Sequence, residues 1–161
     1  MGVNARSAAI NENTGSYEGT REVTLEDCAK NRLDENNKYQ QFTYTNHGQL
    51  KLVYVERQTK PVCITVKRTT TDQNGPCNVD PMYPQFGSYL FAGDCEETTT
   101  TMSDGSSVVK ALDTQTFFWN DNEGTIHIGC DHLFAIGVPT NVPNAGRQVV
   151  GVASKTGLKF V

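Results

Sequence analysis

No run of apolar residues in this sequence approaches the roughly 20 that a membrane-crossing helix needs. The opening Met1-Gly2-Val3-Asn4 has no apolar stretch of the signal-peptide kind. Basic side chains are few and scattered: 14 Lys and Arg stand against 18 Asp and Glu, for a net charge of -4. The clustered positive charge that binding to phosphate backbones requires is missing, which argues against a nucleic-acid partner. There is no G-x-S-x-G, no H-E-x-x-H and no phosphate-cradling glycine loop, and only three histidines. The expectation is a protein that is not an enzyme and carries no cofactor. Asn-x-Ser/Thr sequons are also absent. Five cysteines, Cys28, Cys63, Cys77, Cys95 and Cys130, form no C-x-x-C and leave one thiol over however they pair. Paired cysteines would place the chain outside the cell, and that compartment is the expectation.

What is present reads as one domain of β-strands. The 161 residues, 37% hydrophobic, suffice for a single core without metal or disulfide staples. Short segments rich in Val, Ile, Thr, Phe and Tyr run over 22–26, 41–44, 49–55, 62–67, 89–92, 108–112, 116–119, 125–128, 133–138, 148–153 and 157–161. Gly, Asn, Asp and Pro clusters separate them, and no helix of useful length is expected. Thr45-Asn46-His47-Gly48-Gln49 and Asn120-Asp121-Asn122-Glu123-Gly124 supply the positive φ that hairpin turns need.

Internal similarity shows one unit used several times. Ala9-Ile10 with Arg21-Glu22-Val23 lines up with Ala135-Ile136 and Arg147-Gln148-Val149. Gln40-Gln41-Phe42 with Gly48-Gln49-Leu50-Lys51-Leu52 lines up with Gln115-Thr116-Phe117 and Gly124-Thr125-Ile126-His127-Ile128. Gly157-Leu158-Lys159-Phe160-Val161 echoes the aromatic strand. A third copy of the first half takes Val62-Cys63-Ile64-Thr65-Val66 as its first strand and Ser106-Ser107-Val108-Val109 as its second.

Across nearly the whole chain this order of motifs resembles the ricin B-type lectins, whose pattern is C-L-x-V, an apolar strand ending in Cys, Q-x-W or Q-x-F, then G-x-I. Val62 to Val66, Val23-Thr24-Leu25-Glu26-Asp27-Cys28 and Gln40-Gln41-Phe42 are the copies that carry the resemblance. The part from Thr116 to Phe160 is also similar to the cysteine-rich trefoil of mannose-receptor-type proteins. The resemblance implies a single all-β domain of β-trefoil type over 1–161, three pseudo-repeats of about four strands. Lobe 1 covers about 1–56, lobe 2 about 57–128 with a long insertion at 68–107, and lobe 3 about 129–161. Twelve strands are needed and eleven are visible, so a further strand is expected ahead of Ala8.

The function implied is a binding module for a glycan or glycoprotein. The acidic positions of the galactose-binding pattern fall on Ala9, Thr65 and Ala135, and the aromatic platforms on Glu26, Ala111 and Ala153. A non-galactose or anionic glycan is therefore the expected ligand, with Gln40 and Gln115 structural. Loop candidates for contact are Asn74, Tyr83, Gln85, Phe86 and Tyr89 in the insertion, whose rings and amides suit a glycan or a protein partner. Asn141, Asn144, Arg147 and Lys155 in the third lobe suit an anionic sugar. The alternative is a protein-binding trefoil, a protease inhibitor or receptor-binding subunit working through the insertion.

The resemblance also implies a bridge within a lobe, Cys63 with Cys95 if 89–95 is the second strand. Cys77 with Cys95 follows if the insertion is a self-contained hairpin, the register that matches the repeat better. Only pairs with Cα atoms within about 7 Å can bridge. His127-Ile128-Gly129-Cys130-Asp131-His132 holds metal-ligand side chains, but strand alternation points His127 outward with Ile126 and Ile128 toward the core, and no metal is expected.

Overall fold

A computed structural model describes residues 2–5, 9–10, 17–18, 23–55, 60–66, 86–138, 147–148, 150–153 and 157–160. Among these residues the fold is mostly β: fifteen strands pair antiparallel in four sheets, with one short helix. In chain order the elements are β1 (Gly2–Ala5), β2 (Ala9–Ile10), β3 (Tyr17–Glu18), β4 (Val23–Glu26), α1 (Glu35–Tyr39), β5 (Phe42–Tyr44), β6 (Leu50–Leu52), β7 (Val62–Val66), β8 (Phe86–Asp94), β9 (Glu97–Thr101) and β10 (Ser107–Ala111). A 3-10 turn (Asp113–Gln115) precedes β11 (Phe117–Asn120), β12 (Thr125–Ile128), β13 (Asp131–Gly137), β14 (Arg147–Gln148) and β15 (Val150–Ala153). No helix among the described residues is long and apolar enough to cross a membrane.

The largest sheet has the order β11-β12-β13-β15-β8-β7-β6-β5, and the β5–β6 hairpin reaches across to β11 through its turn and one side chain. The Phe117 N–H donates to Gly48 O at 2.8 Å, and the Tyr44 hydroxyl donates to Phe117 O at 2.6 Å. All five residues of β7, Val-Cys-Ile-Thr-Val, are buried, with β6 and β8 on either side. A second sheet, β1-β4-β14, lays Val23 and Leu25 into the interior, each 1% exposed or less. Asp34 starts α1, its carboxylate accepting from the Asn36 and Lys30 N–H groups, which hold its pKa below the usual carboxylate value.

β1 supplies the strand expected ahead of Ala8, pairing Gly2 with Glu26 and Ala5 with Val23. Three sequence expectations need correction. Ala9-Ile10 is not the counterpart of Ala135-Ile136, because it pairs with Tyr17 and Glu18 in a separate two-stranded sheet. The partner of β7 is β8, not 106–109; β10 pairs with β9 instead, forming a two-stranded hairpin outside the main sheet. The segment 157–160 forms no strand, and is held through Leu158 N–H on Ile136 O and Phe160 N–H on Gly124 O.

Two glycines show different demands. A Cβ on Gly129 would lie 2.6 Å from Thr116 O, where the Gly129 N–H bonds that same oxygen at 2.7 Å. Gly105 has φ +87° in the β9–β10 turn and open space around it. Gly129→Ala is expected to cost about 1–3 kcal/mol through backbone displacement, and Gly105→Ala about 1 kcal/mol through conformation alone. Urea midpoints for the two variants check the order.

Candidate functional site

Of the contact residues expected from the sequence, Asn74, Tyr83, Gln85, Asn141, Asn144 and Lys155 lie outside the described residues, as does Cys77. Phe86 and Tyr89 lie on β8, with backbones opposite Val152 and Val150 of β15. Arg147 lies on β14, opposite Leu25. Of the positions that the galactose pattern gives to its acidic residue, Thr65 is 8% exposed and Ala135 fully buried; of its platform positions, Glu26 and Ala111 are half-buried. The Thr65 hydroxyl donates to Cys63 O at 3.2 Å and accepts from Gln115 Nε2 at 3.1 Å, so its polarity is already used.

A disulfide joins Cys63 to Cys95, with Cα atoms 5.0 Å apart. This corrects the preference for Cys77 with Cys95: β8 ends one residue before Cys95, so pairing with β7 brings the two sulfurs together. Cys28 is free and exposed.

Two glutamines perform the same task at corresponding places. Gln40 accepts from the Ala29 N–H at 2.9 Å and donates to Asp27 O at 2.8 Å. Gln115 accepts from the Glu96 N–H at 2.9 Å and donates to Asp94 O at 2.7 Å. Each side-chain amide thus clamps the backbone on either side of a cysteine, Cys28 or Cys95, where a strand has just ended. An amide can do this because it carries a donor and an acceptor side by side.

A hairpin follows each clamp. β5–β6 pairs Phe42 with Leu52, and β11–β12 pairs Phe117 with Ile128. In both, the residue before the phenylalanine accepts from the residue after the return strand: Val53 N–H on Gln41 O and Gly129 N–H on Thr116 O. Both turns end in a glycine with positive φ, +82° at Gly48 and +68° at Gly124. Each glycine carbonyl then receives a phenylalanine N–H from the next segment, Phe117 on Gly48 and Phe160 on Gly124.

The second hairpin carries an exposed aromatic surface. Trp119 is 47% exposed and meets the Phe160 ring edge-on at 6.5 Å. Asn120 Oδ1 accepts from the Asn122 and Glu123 N–H groups, which fixes the turn that follows Trp119; Asp121 and Asn122 are exposed in it, whereas the Glu123 carboxylate accepts from the Thr125 hydroxyl at 3.4 Å and lies 3.6 Å from His127 Nε2. His127, expected outward, is 7% exposed. Its ring stacks on Phe118 and its Nε2 lies 2.9 Å from the Thr125 hydroxyl. Among the described residues no group of three or more His, Cys, Asp or Glu is placed to hold a metal.

An apolar recess of about 480 Å³ opens beside β5. Its lining includes Val3, Phe42, Leu50, Ile64, Ile126, Ile136 and Phe160 together with Cys28 and Gln40. That lining is mostly apolar, which suits an apolar group. Neither the recess nor the exposure of Trp119 was read from the sequence, although the single Trp beside an Asn-Asp-Asn-Glu-Gly turn was the available signal.

Comparison with known proteins finds no family model, no curated sequence and no solved structure that matches this chain.

Proposed function

We propose that this chain is a non-enzymatic binding module of β-trefoil design whose ligand is a neutral glycan, held at the β11–β12 hairpin. The observation that carries the reading is Trp119, an indole half open to solvent beside a turn of exposed amide and carboxylate side chains. Sugar binding asks for that combination, a ring to stack on the apolar sugar face and hydrogen-bonding groups for its hydroxyls. Asp121, exposed in that turn, would repel an anionic sugar, which favours a neutral one over the sulfated class. The trefoil design is supported by the recurrence of glutamine clamp, phenylalanine strand and glycine turn, which fits the order of motifs in ricin-type lectins. The Cys63–Cys95 bridge hints at an oxidising compartment and so suits secretion.

A glycan array with neutral, sulfated and galactose-terminated sugars tests this reading. Trp119 is the chain's single tryptophan, so its emission reports directly on the site. A neutral hit should shift that emission saturably, and Trp119→Ala should weaken binding by about tenfold or more, about 1.4 kcal/mol, with the unfolding midpoint unchanged. Silence across the array, or binding indifferent to Trp119→Ala, overturns the proposal. A second reading, a protein-binding module, is favoured by the apolar recess and the strand edge beside it.

A further inference from the structure

The β9–β10 hairpin stands outside the main sheet. Among the described residues β9 pairs with β10 alone, in a two-stranded sheet. All five residues of β9 are exposed, as are four of the five in β10, so neither face of the hairpin rests on a core. A two-stranded ribbon wet on both faces is marginal in water, and further strands stabilise it. Exposed edges are ordinarily blunted by charged side chains, proline or a bulge. The β10 edge carries Lys110, but from Thr98 to Thr101 β9 has neither charge nor proline, and its register with β10 is unbroken. That register fixes which groups β9 offers. Met102 N–H donates to Ser106 O and Leu112 N–H donates to Glu96 O, so the bonds to β10 fall on even-numbered residues. The N–H and C=O groups of Glu97, Thr99 and Thr101 point the other way, off the edge.

We infer that this edge is a self-association site, at which β9 pairs antiparallel with β9 of a second copy about a two-fold axis at Thr99. The edge is complementary to itself. Setting Thr99 against the second copy's Thr99 brings Glu97 opposite Thr101 and Thr98 opposite Thr100. The outward groups of residues 97, 99 and 101 then face one another as hydrogen-bonded pairs on both strands. No charge meets its like, because Glu97 lies across from a threonine and its carboxylate is 3.9 Å from the His47 imidazole of its own chain. Threonines facing one another across strands add a favourable side-chain contribution.

A second copy meets every requirement that the edge sets. It brings an uncharged, β-favouring strand of the same length whose outward groups are in the same phase, and a two-fold axis lets one patch serve both sides of the contact. The product is a four-stranded sheet in the order β10-β9-β9-β10, closed at both ends by the strand that carries Lys110. The pairing is independent of what Trp119 binds. It places two Trp119 hairpins in one particle, which raises retention on a surface dense in ligand.

Sedimentation equilibrium on the full chain, without ligand, tests the inference. A Cys28→Ser background keeps the exposed thiol from linking copies. The contact is small, so the protein should pass from monomer at about 1 μM to dimer at about 1 mM. Thr99→Pro removes an outward donor that does not serve the β9–β10 ladder, and should leave a monomer over that range with unchanged near-ultraviolet circular dichroism. Thr99→Lys and Thr99→Glu each set like charges across the axis, and each alone should stay monomeric. An equal mixture of the two should recover dimerisation to within about threefold of the parent Kd, a rescue that a misfolded hairpin would not give. A parent that stays monomeric to about 1 mM overturns the inference and leaves the edge to a strand of another protein. Dimerisation that survives Thr99→Pro, or a mixture no better than its components, puts the contact elsewhere and overturns it as well.

Discussion

Replacing Cys63 and Cys95 together by alanine is expected to lower the free energy of unfolding by about 4 kcal/mol. The bridge joins residues 32 apart in sequence. Closing a loop of that length removes about 12 cal/mol/K of entropy from the unfolded chain, which is about 4 kcal/mol at room temperature. The native side of the balance adds to the loss, because Cys63 is fully buried on β7 and truncation there opens space in the core. For a chain of this length a loss of that size lowers the melting temperature by about 10 °C. Cys28 provides the contrast: it is exposed and free, and Cys28→Ser should change stability by no more than about 0.5 kcal/mol. Thermal unfolding of the three proteins separates the cases. Coincident melting of the parent and the double variant would mean that the bridge does not constrain the unfolded chain. A strong dependence on the bridge also bears on location, because a cytosol that reduces it would leave the domain with a much smaller margin.

The features legible in the sequence were those set by local pattern. Residues 62–66 read as a strand because five β-favouring residues in a row satisfy burial on both faces, and β7 is buried along its length. The two hairpins were legible through their turns, since Gly48 and Gly124 stand where the chain needs positive φ. The copies of Gln-x-Phe ahead of them fell in register because the same clamp-and-hairpin geometry recurs. What failed depended on contacts distant in sequence. Ala9-Ile10 shares two small apolar residues with Ala135-Ile136, too little to reveal that β1 takes the pairing with β4. The Thr-rich strand β9 has no alternation to mark it, since every residue is exposed. The cysteine pairing needed the knowledge that β8 begins at Phe86 and ends at Asp94. His127 was directed outward by a period of two that presumes one wet face, whereas Phe118 and Thr125 cover it. Trp119 and the recess emerge only when the third segment, through Phe160, is seen lying against the second hairpin.

The glutamine clamps invite a sharper test, because two residues with one role sit in different surroundings. Gln115 is 1% exposed and uses all of its capacity. Its Oε1 accepts from the Glu96 N–H at 2.9 Å and from Gln49 Nε2 at 3.2 Å. Its Nε2 donates to Asp94 O at 2.7 Å and Thr65 Oγ1 at 3.1 Å. Gln115→Leu keeps the volume and strips a hydrogen-bond partner from four groups at once. Gln49, itself 2% exposed, then retains Glu96 O at a long 3.5 Å. Of the four, Gln49 and Thr65 are buried and cost about 1–3 kcal/mol each on losing a partner, whereas Glu96 is exposed and Asp94 half-buried, so a loss of about 3 kcal/mol is expected once relaxation is allowed. Gln40 clamps the backbone with the same two bonds, and these go to the exposed Asp27 and half-buried Ala29 rather than to a buried side chain such as Gln49 or Thr65, so water replaces what the amide gave. Gln40→Leu should therefore cost only about 1 kcal/mol. Urea unfolding at matched pH checks the difference, and since both side chains are neutral it should persist from acid to mild alkali. Equal losses in the two variants would mean that burial does not set the strength of the clamp. A large loss at Gln115 alone would mean that the second clamp, with its disulfide beside it, anchors the sheet from which the Trp119 hairpin projects.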